Sequence, residues 1–363
     1  MPLKTLDGSD AAPRKGRGAG INPEGRFETI ERDAVDDGWN TPQESRALKT
    51  TITIEPAKSI ISRNDSPDVG FSQSINPYAG CEHGCSYCFA RPSHAFRNLS
   101  PGVDFETRIF AKTNAAELLR RELSQPGYRC SVIAIGVNTD AYQPIERELR
   151  ITRSILEVCA EFNQPVGLIT KNATIERDID IIAPMAARRL ATVTISLNNL
   201  DHDIARRLEP RCAAPARRLQ AMRTLSQAGI PVRVLVAPVI PFITDDQIER
   251  VLAAAREHGA SAAGYVLLRL PWEVNDVFQE WLERHYPLKA KHVMSRVHEM
   301  RGGRDNDPRF GSRMTGSGQL AQLLERRFEL ACKRLGFEND RDEAIDTTLF
   351  RVPARDDPQL ALF

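Results

Sequence analysis

The sequence predicts an α/β protein, an open and partial (β/α)6 TIM-like barrel with a helical extension after it and a poorly ordered tail before it. Short apolar runs alternate with amphipathic stretches up to residue 270, and beyond Pro271 the pattern is helical. Strands that alternate with helices form a parallel sheet with right-handed crossovers. The six predicted strands are 74–80, 131–136, 165–170, 191–196, 231–237 and 263–268.

The segments between and after these strands have helical periodicity. Crossover helices are predicted at 146–162, 175–187, 214–228 and 245–258, and an earlier strand and helix at 104–110 and 115–123. The extension is predicted to contain helices at 273–285, 290–300 and 318–335. The predicted domains are an N-terminal tail (1–65), the partial barrel (66–270), the helical extension (271–346) and a C-terminal tail (347–363). Within the first tail, the alternating run 50–55 predicts a strand that docks on the barrel.

Charge and composition exclude several classes of protein. The 363 residues are 41% hydrophobic and 27% charged, which is enough to bury a sizeable core. Because the formal net charge is +1, any nucleic-acid contact must use a local basic patch. The basic loop 304–313 is a candidate patch, whereas the basic cluster 12–18 is interpreted as part of a solvated tail.

Cysteine usage and hydropathy indicate a compartment. Seven cysteines are an odd number, and four of them are scattered, which does not form a disulfide framework and suits a reducing environment. No apolar run approaches the length of a membrane span, and the N-terminal residues lack the apolar segment of a signal peptide. We therefore expect a cytoplasmic protein with no membrane partner.

Three cysteines lie within eight residues, in the run Cys81-Glu-His-Gly-Cys85-Ser-Tyr-Cys88. This run follows the first predicted strand, and Gly80 and Gly84 allow the backbone to turn around a bulky group. Three thiolates can bind three irons of a [4Fe-4S] cluster and leave the fourth iron open to a small molecule. A zinc site remains an alternative, but zinc commonly takes four ligands and His83 lies inside the same loop. A disulfide would leave one cysteine over.

The C-x3-C-x2-C spacing resembles that of the radical S-adenosylmethionine (SAM) superfamily, in which SAM occupies the open iron. Polar residues follow the predicted strands at the edge where such barrels carry their chemistry. They are Thr139 and Asp140 after the second strand, Lys171 after the third, and Ser196 and Asn198 after the fourth. Each one alone could be a cap, a turn residue or a surface charge. Their shared edge favours a single site that holds the carboxylate, amine and ribose of SAM.

Longer runs resemble the spore-photoproduct-lyase-related branch of this superfamily, and within it a bacterial subfamily of unassigned function. The runs are 76–92, 104–107, 138–146 and 208–211. The resemblance implies that Thr139, Asp140, Lys171 and Ser196 line the SAM site, with Asn198 close by and Tyr87 beside the adenine. It also implies an enzyme that reductively cleaves SAM to a 5′-deoxyadenosyl radical for hydrogen abstraction, with flavodoxin or ferredoxin as the reductant.

One position departs from the lyases. They carry a hydrogen-donating cysteine three residues before the aspartate, where this chain has Val137. Thymine-dimer reversal by that relay is therefore not supported, and Cys130 lies at the other end of the same predicted strand. Three hypotheses remain at this stage: a radical SAM enzyme acting on DNA or RNA, one modifying a protein or small metabolite, and a non-catalytic metal-binding protein.

The last five residues carry a second signal. Gln359, Leu360, Leu362 and Phe363 resemble the short peptide by which bacterial repair and replication proteins dock on the DNA sliding clamp. In such peptides a few apolar side chains enter a preformed pocket. The alternative is an apolar tail that folds back on the body of the protein. The sequence thus predicts DNA and a sliding clamp as possible partners.

Overall fold

Two β-sheets organise residues 16–27, 48–337 and 345–353, which are the residues that the computed structural model describes. The ten strands in these ranges are β1 (Thr51–Ile54), β2 (Ser62–Arg63), β3 (Gln73–Ile75), β4 (Tyr78–Ala79), β5 (Arg108–Ala111), β6 (Ile133–Ile135), β7 (Val166–Thr170), β8 (Ala191–Ser196), β9 (Val232–Val239) and β10 (Ala262–Leu267). The large sheet has the order β10-β9-β8-β7-β6-β3-β2. Six neighbouring strands of this sheet pair in parallel, which confirms the predicted open barrel; they are β3, β6, β7, β8, β9 and β10.

Helices cover this sheet and continue beyond it. Within the described ranges they are α1 (Val103–Thr107), α2 (Ala115–Leu123), α3 (Glu146–Leu149), α4 (Ile151–Glu161), α5 (Ile179–Ala186), α6 (His202–Leu208), α7 (Pro215–Gln227), α8 (Ile248–Glu257), α9 (Val274–His285), α10 (Ala290–Met300) and α11 (Gly318–Leu335). The last three form the predicted helical extension, and α11 packs against α8. No helix in the described part of the chain is long and apolar enough to span a membrane.

The first predicted strand, 74–80, is divided between the two sheets. Its beginning lies in β3, which pairs with β6, whereas its end lies in β4, which pairs with β5 in the small sheet. Pro77 stands between them and has no N–H to donate to a ladder. The Asn76 side chain accepts a hydrogen bond from the Asn138 amide at 2.9 Å and so ties the break to the end of β6. The cysteine loop therefore leaves from the small sheet.

Two other predicted elements were wrong in part. The predicted strand 104–110 begins as helix α1, because the Asp104 carboxylate accepts from the Ser100 amide at 3.2 Å and Thr107 bonds back to the Val103 carbonyl at 2.9 Å. The predicted helix 146–162 is divided into α3 and α4 at Arg150, whose φ is +51°. Alternating hydrophobicity does not encode such local polar bonds.

The described part of the N-terminal stretch is packed on the barrel. The buried Glu106 carboxylate accepts hydrogen bonds from the Gly18 amide at 3.0 Å and the Ala19 amide at 2.8 Å. Strand β1 occupies the run predicted as a strand at 50–55 and pairs in parallel with β5. The described residues of this stretch thus pack on the barrel, as predicted for the run 50–55, and the glycine-rich run does so through amides that bind a buried carboxylate. The predicted domain boundaries stay predictions.

Two apolar clusters support the fold. The larger one lies between the parallel sheet and its helices and contains Cys159 of α4. The second packs the cysteine loop, through Cys85 and Tyr87, against α9 and α10. The Trp281 indole N–H in this cluster donates to the Arg207 carbonyl at 2.9 Å. The helical extension therefore forms the floor under the loop.

His94 should make the protein less stable in acid. It is fully buried, its Nε2 lies 3.0 Å from the Arg108 carbonyl, and its Nδ1 has no partner. Burial lowers the pKa of this imidazole to about 4 from an ordinary value of 6.5. Below pH 6.5 this histidine is protonated in the unfolded chain but stays neutral in the folded protein. The free energy of unfolding therefore falls by about 3 kcal/mol between pH 6.5 and pH 4.

Anaerobic urea unfolding at several pH values checks this expectation. His94→Gln has no group to titrate at this position, so its unfolding free energy should change less between pH 7 and pH 4 than that of the wild type. Equal pH dependence of the two proteins would show that His94 does not make this contribution.

Candidate functional site

A cavity of about 610 Å³ opens at the C-terminal edge of the parallel strands. The cysteine loop forms one wall, and the residues that follow the strands form the others. Lining residues include Cys81, His83, Cys85, Tyr87, Cys88, Val137, Asp140, Lys171, Ser196, Ala237, Pro238 and Arg269. All three motif cysteines and four of the six predicted SAM-contact residues thus face one space. Thr139 and Asn198 do not line it.

Backbone hydrogen bonds hold the cysteine loop in place. The Cys81 amide donates to the Phe105 carbonyl at 2.9 Å, and the Arg91 guanidinium donates two bonds to the Cys85 carbonyl at 2.9 and 2.8 Å. Gly80 turns the chain at a φ of +78°, where a Cβ would lie 2.9 Å from the His94 ring. All three thiols are free, and Cys81 and Cys85 are buried. The loop is therefore preorganised by the protein itself.

His83 is engaged by other side chains on both ring nitrogens. Its Nδ1 lies 3.3 Å from the Asp140 carboxylate, and its Nε2 lies 3.2 Å from the Asn172 amide. Burial would lower the pKa of this imidazole, but the Asp140 charge and the Cys81 sulfur raise it to about 10. An imidazole whose two nitrogens both face side-chain partners has no lone pair free for a zinc ion. His83 therefore anchors the loop, which disfavours the zinc alternative.

Asp140 joins the loop to the strand ends. Its carboxylate also accepts from the Thr170 hydroxyl at 2.7 Å and the Lys171 amide at 2.8 Å. Burial opposes ionisation, but His83 and these donors hold the pKa of the carboxyl well below its usual range. The neighbouring Thr139 is buried behind the wall, where its hydroxyl donates to the Tyr78 carbonyl at 2.8 Å. Asp140 is thus a charged group that connects the loop to the ends of two strands, whereas Thr139 supports the backbone before the loop.

Lys171 supplies a half-buried positive charge at the cavity. Burial would lower the pKa of its amine, but Cys85 and Glu209 raise it above the ordinary value. Ser196 lines the same cavity at the end of β8. Asn198, two residues further along the chain, is buried. Its Oδ1 accepts a hydrogen bond from the Asn199 amide at 2.7 Å, and its Nδ2 has no partner among the described residues. A cation and hydroxyl at one edge suit a zwitterionic ligand.

Sequence reasoning gave no role at this site to two residues, Cys212 and Glu209. Cys212 was treated as isolated, yet its Sγ lies 3.9 Å from that of Cys85. Glu209 is fully enclosed and accepts hydrogen bonds from Tyr87 and Arg218. The available signal was position, since the run 208–212 follows β8 and thus reaches the same edge as Ser196. The polar end of Tyr87 is consequently fixed, while its ring lines the cavity.

The donor set fits an iron–sulfur cluster. Three thiols of one loop border a cavity, and soft thiolate ligands suit iron–sulfur centres. The sequence model of the radical SAM superfamily matches residues 75–255, which contain the loop and the strand ends of this site. The chain belongs to the radical SAM superfamily. Members use a [4Fe-4S] cluster and SAM, so this protein is a radical SAM enzyme with those cofactors, as the sequence predicted.

Relatives of this radical SAM enzyme are found in bacteria and archaea. An uncharacterised protein of Mycobacterium tuberculosis is 35% identical over 235 residues, which cover 63% of this chain and 67% of the relative. An uncharacterised protein of Methanocaldococcus jannaschii is 26% identical over 237 residues, covering 65% of this chain and 83% of the relative. These similarities cover nearly two thirds of this chain.

Solved structures with the same fold include spore photoproduct lyase. The lyase complexed with dinucleoside spore photoproduct has a TM-score of 0.57 and 15% identity, covering 80% of this chain and 81% of the lyase. A mutant of the lyase has a TM-score of 0.58 at 15% identity and covers 86% of both chains. At this identity the likeness shows that the radical SAM enzyme shares the lyase fold.

Proposed function

We propose that Cys81, Cys85 and Cys88 hold the cluster, and that the enzyme directs its radical chemistry to a nucleic-acid substrate. The observation that carries the first part is the convergence of these free thiols with Lys171 and Ser196 on one cavity. When bound, the cluster and SAM supply a 5′-deoxyadenosyl radical that abstracts a hydrogen atom from the substrate. The chain's own residues bind, orient and shield these groups.

Each predicted SAM-contact residue has a proposed task. Lys171 offers its ammonium to the SAM carboxylate, Ser196 offers its hydroxyl to the amine or ribose, and the Tyr87 ring lies beside the adenine. Asp140 contributes to the site indirectly, because its carboxylate is paired with the His83 ring of the cysteine loop. For Thr139 and Asn198, which lie outside the cavity lining, the proposed task is to hold the strand ends from behind. Radical SAM enzymes require a reductant, and we propose flavodoxin or ferredoxin.

The nucleic-acid substrate is supported by the shared fold with a lyase solved with a dinucleoside photoproduct. Val137 lines the cavity at the position where the lyases carry a cysteine. Valine has no thiol and so cannot donate a thiol hydrogen atom. Cys130 lies outside the lining, with its thiol 3.7 Å from the Gln164 amide oxygen. We therefore propose a reaction other than dimer reversal by a thiol at this position.

We further propose a cytoplasmic location, because all seven cysteines are free and a thiolate-bound cluster needs a reducing compartment. The predicted sliding-clamp peptide, Gln359, Leu360, Leu362 and Phe363, lies outside the described residues. It stays a prediction that clamp pull-down with and without the last five residues would check.

Deuterium transfer tests the substrate class. The reconstituted enzyme is reduced anaerobically with SAM in the presence of DNA or RNA that carries deuterated nucleotides. We expect deuterium to appear in 5′-deoxyadenosine when the nucleic acid is deuterated. We expect none when the nucleic acid is unlabelled. Deuterium that arrives only from a labelled protein extract or metabolite pool would contradict a nucleic-acid substrate, while SAM cleavage would still identify the enzyme class.

A further inference from the structure

Arg269 is a cation of the cavity wall without a carboxylate partner. It lies two residues after β10 and lines the same cavity as the three cysteines. Within the described residues its only hydrogen bond joins Nη1 to the Met314 sulfur at 3.7 Å, and its Nε is buried with no partner. Burial and the nearby Arg313 lower the pKa of its guanidinium, and Asp68 only partly offsets them. An arginine remains charged under such conditions.

Arg313 lies beside it but is already paired. Its guanidinium forms an ion pair with Asp68 and donates to the Ser66 hydroxyl. Asp68 also accepts from the Gly311 amide at 2.7 Å. The Asp68–Arg313 pair is therefore close to neutral, whereas the Arg269 charge is uncompensated. A partly buried charge without a carboxylate partner is costly, so this wall favours an anion supplied from outside.

Arg301 fixes the two arginines relative to each other. It is buried and donates to the Leu267 and Leu268 carbonyls at the end of β10, at 3.0 and 2.6 Å. It also donates to the Arg313 carbonyl at 2.9 Å. These bonds lock the loop that carries Arg313 to the strand end that precedes Arg269. Such support is typical of a preorganised binding site.

Aromatic rings accompany both guanidinium groups. The Arg269 guanidinium carbon lies 5.5 Å from the centre of the Phe89 ring, and that of Arg313 lies 4.6 Å from the centre of the Phe310 ring. Phe89 and Phe310 are 47% and 59% exposed, so both rings retain a face for a ligand. A guanidinium next to an accessible ring recognises a phosphate with its base better than a simple carboxylate.

We propose that Arg269 forms a subsite for one phosphate group of the substrate in the part of the cavity wall that follows β10. The fork of Arg269 binds the phosphate oxygens, and Phe89 offers its ring to the adjoining base. This inference rests on the proposed nucleic-acid substrate, since it names where a phosphate of that substrate lies. It adds a residue that selects phosphorylated substrates.

Binding of a fluorescein-labelled, single-stranded oligothymidylate to the anaerobic holoenzyme tests the subsite. We expect Arg269→Gln to weaken the affinity, read by anisotropy at fixed salt, by about tenfold or more. Arg250→Gln removes the same charge from an exposed site on α8 and should change the affinity by less than about twofold. Iron content and melting temperature identify a variant that has not folded, and Arg269→Lys, which keeps the charge but not the fork, then provides the comparison.

The outcomes separate this subsite from the proposed function. Equal binding by the wild type, Arg269→Gln and Arg269→Lys would overturn the subsite and leave a nucleic-acid substrate intact. If the wild type does not bind the oligonucleotide, the same variants are compared with thymidine 5′-monophosphate, thymidine and inorganic phosphate. Phosphate-dependent binding that is lost in Arg269→Gln would then support the subsite for a small phosphorylated ligand. Its absence would overturn the subsite.

Discussion

Cys85→Ala should give a folded protein that assembles no complete cluster and releases no 5′-deoxyadenosine. Cys85 is buried in the loop, and its backbone is held by Arg91 through main-chain bonds that alanine preserves. Loss of the thiolate leaves one iron without a protein ligand, so the effect falls on the cofactor rather than on the fold. Iron and sulfide analysis, electron paramagnetic resonance and chromatography of reduced reactions measure the result.

Cys212→Ala provides the matched control for that experiment. Its sulfur lies 3.9 Å from that of Cys85, and it is not one of the three cysteines of the loop. We expect this variant to retain its iron and to show a more negative midpoint potential, because hydrogen bonds to cluster sulfurs raise that potential. A Cys85→Ala protein with full iron content and wild-type SAM cleavage would refute the assignment of the cluster ligands.

Glu106→Gln should destabilise the protein by about 3–5 kcal/mol, because it removes one partner of a buried ion pair. Glu106 and Arg91 are both fully buried and lie 2.5 Å apart. The same carboxylate accepts the amides of Gly18 and Ala19. The amide of glutamine cannot balance the Arg91 charge or accept all three donors. Anaerobic urea unfolding of the variant and the wild type measures the difference.

The exposed pair Arg120–Glu161 supplies the comparison. Its side chains are 51% and 40% exposed, so Glu161→Gln should cost less than about 1 kcal/mol. Similar losses in Glu106→Gln and Glu161→Gln would show that burial does not strengthen the first pair in the way proposed.

The parallel sheet and the cysteine loop could be predicted from the sequence because both are local signals. Apolar runs at regular intervals predict buried parallel strands, and three cysteines in eight residues predict one metal centre. The cavity could be predicted as well, since residues that follow neighbouring parallel strands meet at one edge. Asp140, Lys171 and Ser196 were found in this way.

The parts that could not be predicted depend on contacts between distant residues. Cys212 and Cys85 are 127 positions apart, and Gly18 and Glu106 are 88 apart. No periodicity relates such pairs, and a buried carboxylate is invisible in a pattern of apolar residues. The same reason applies to Thr139, which was predicted to contact SAM together with its neighbour Asp140. Its hydroxyl instead donates to the carbonyl of the distant Tyr78.

The bond between Glu106 and the amides of Gly18 and Ala19 also determines where the chain can be shortened for biochemical work. Glu106 holds Arg91, and Arg91 holds the Cys85 carbonyl, so residues 17–19 are linked through two side chains to the backbone of the metal loop. A version that begins at residue 48 would keep every described strand of both sheets. It would lack this brace, and we expect its purified cofactor to bleach faster in air than that of the 363-residue protein.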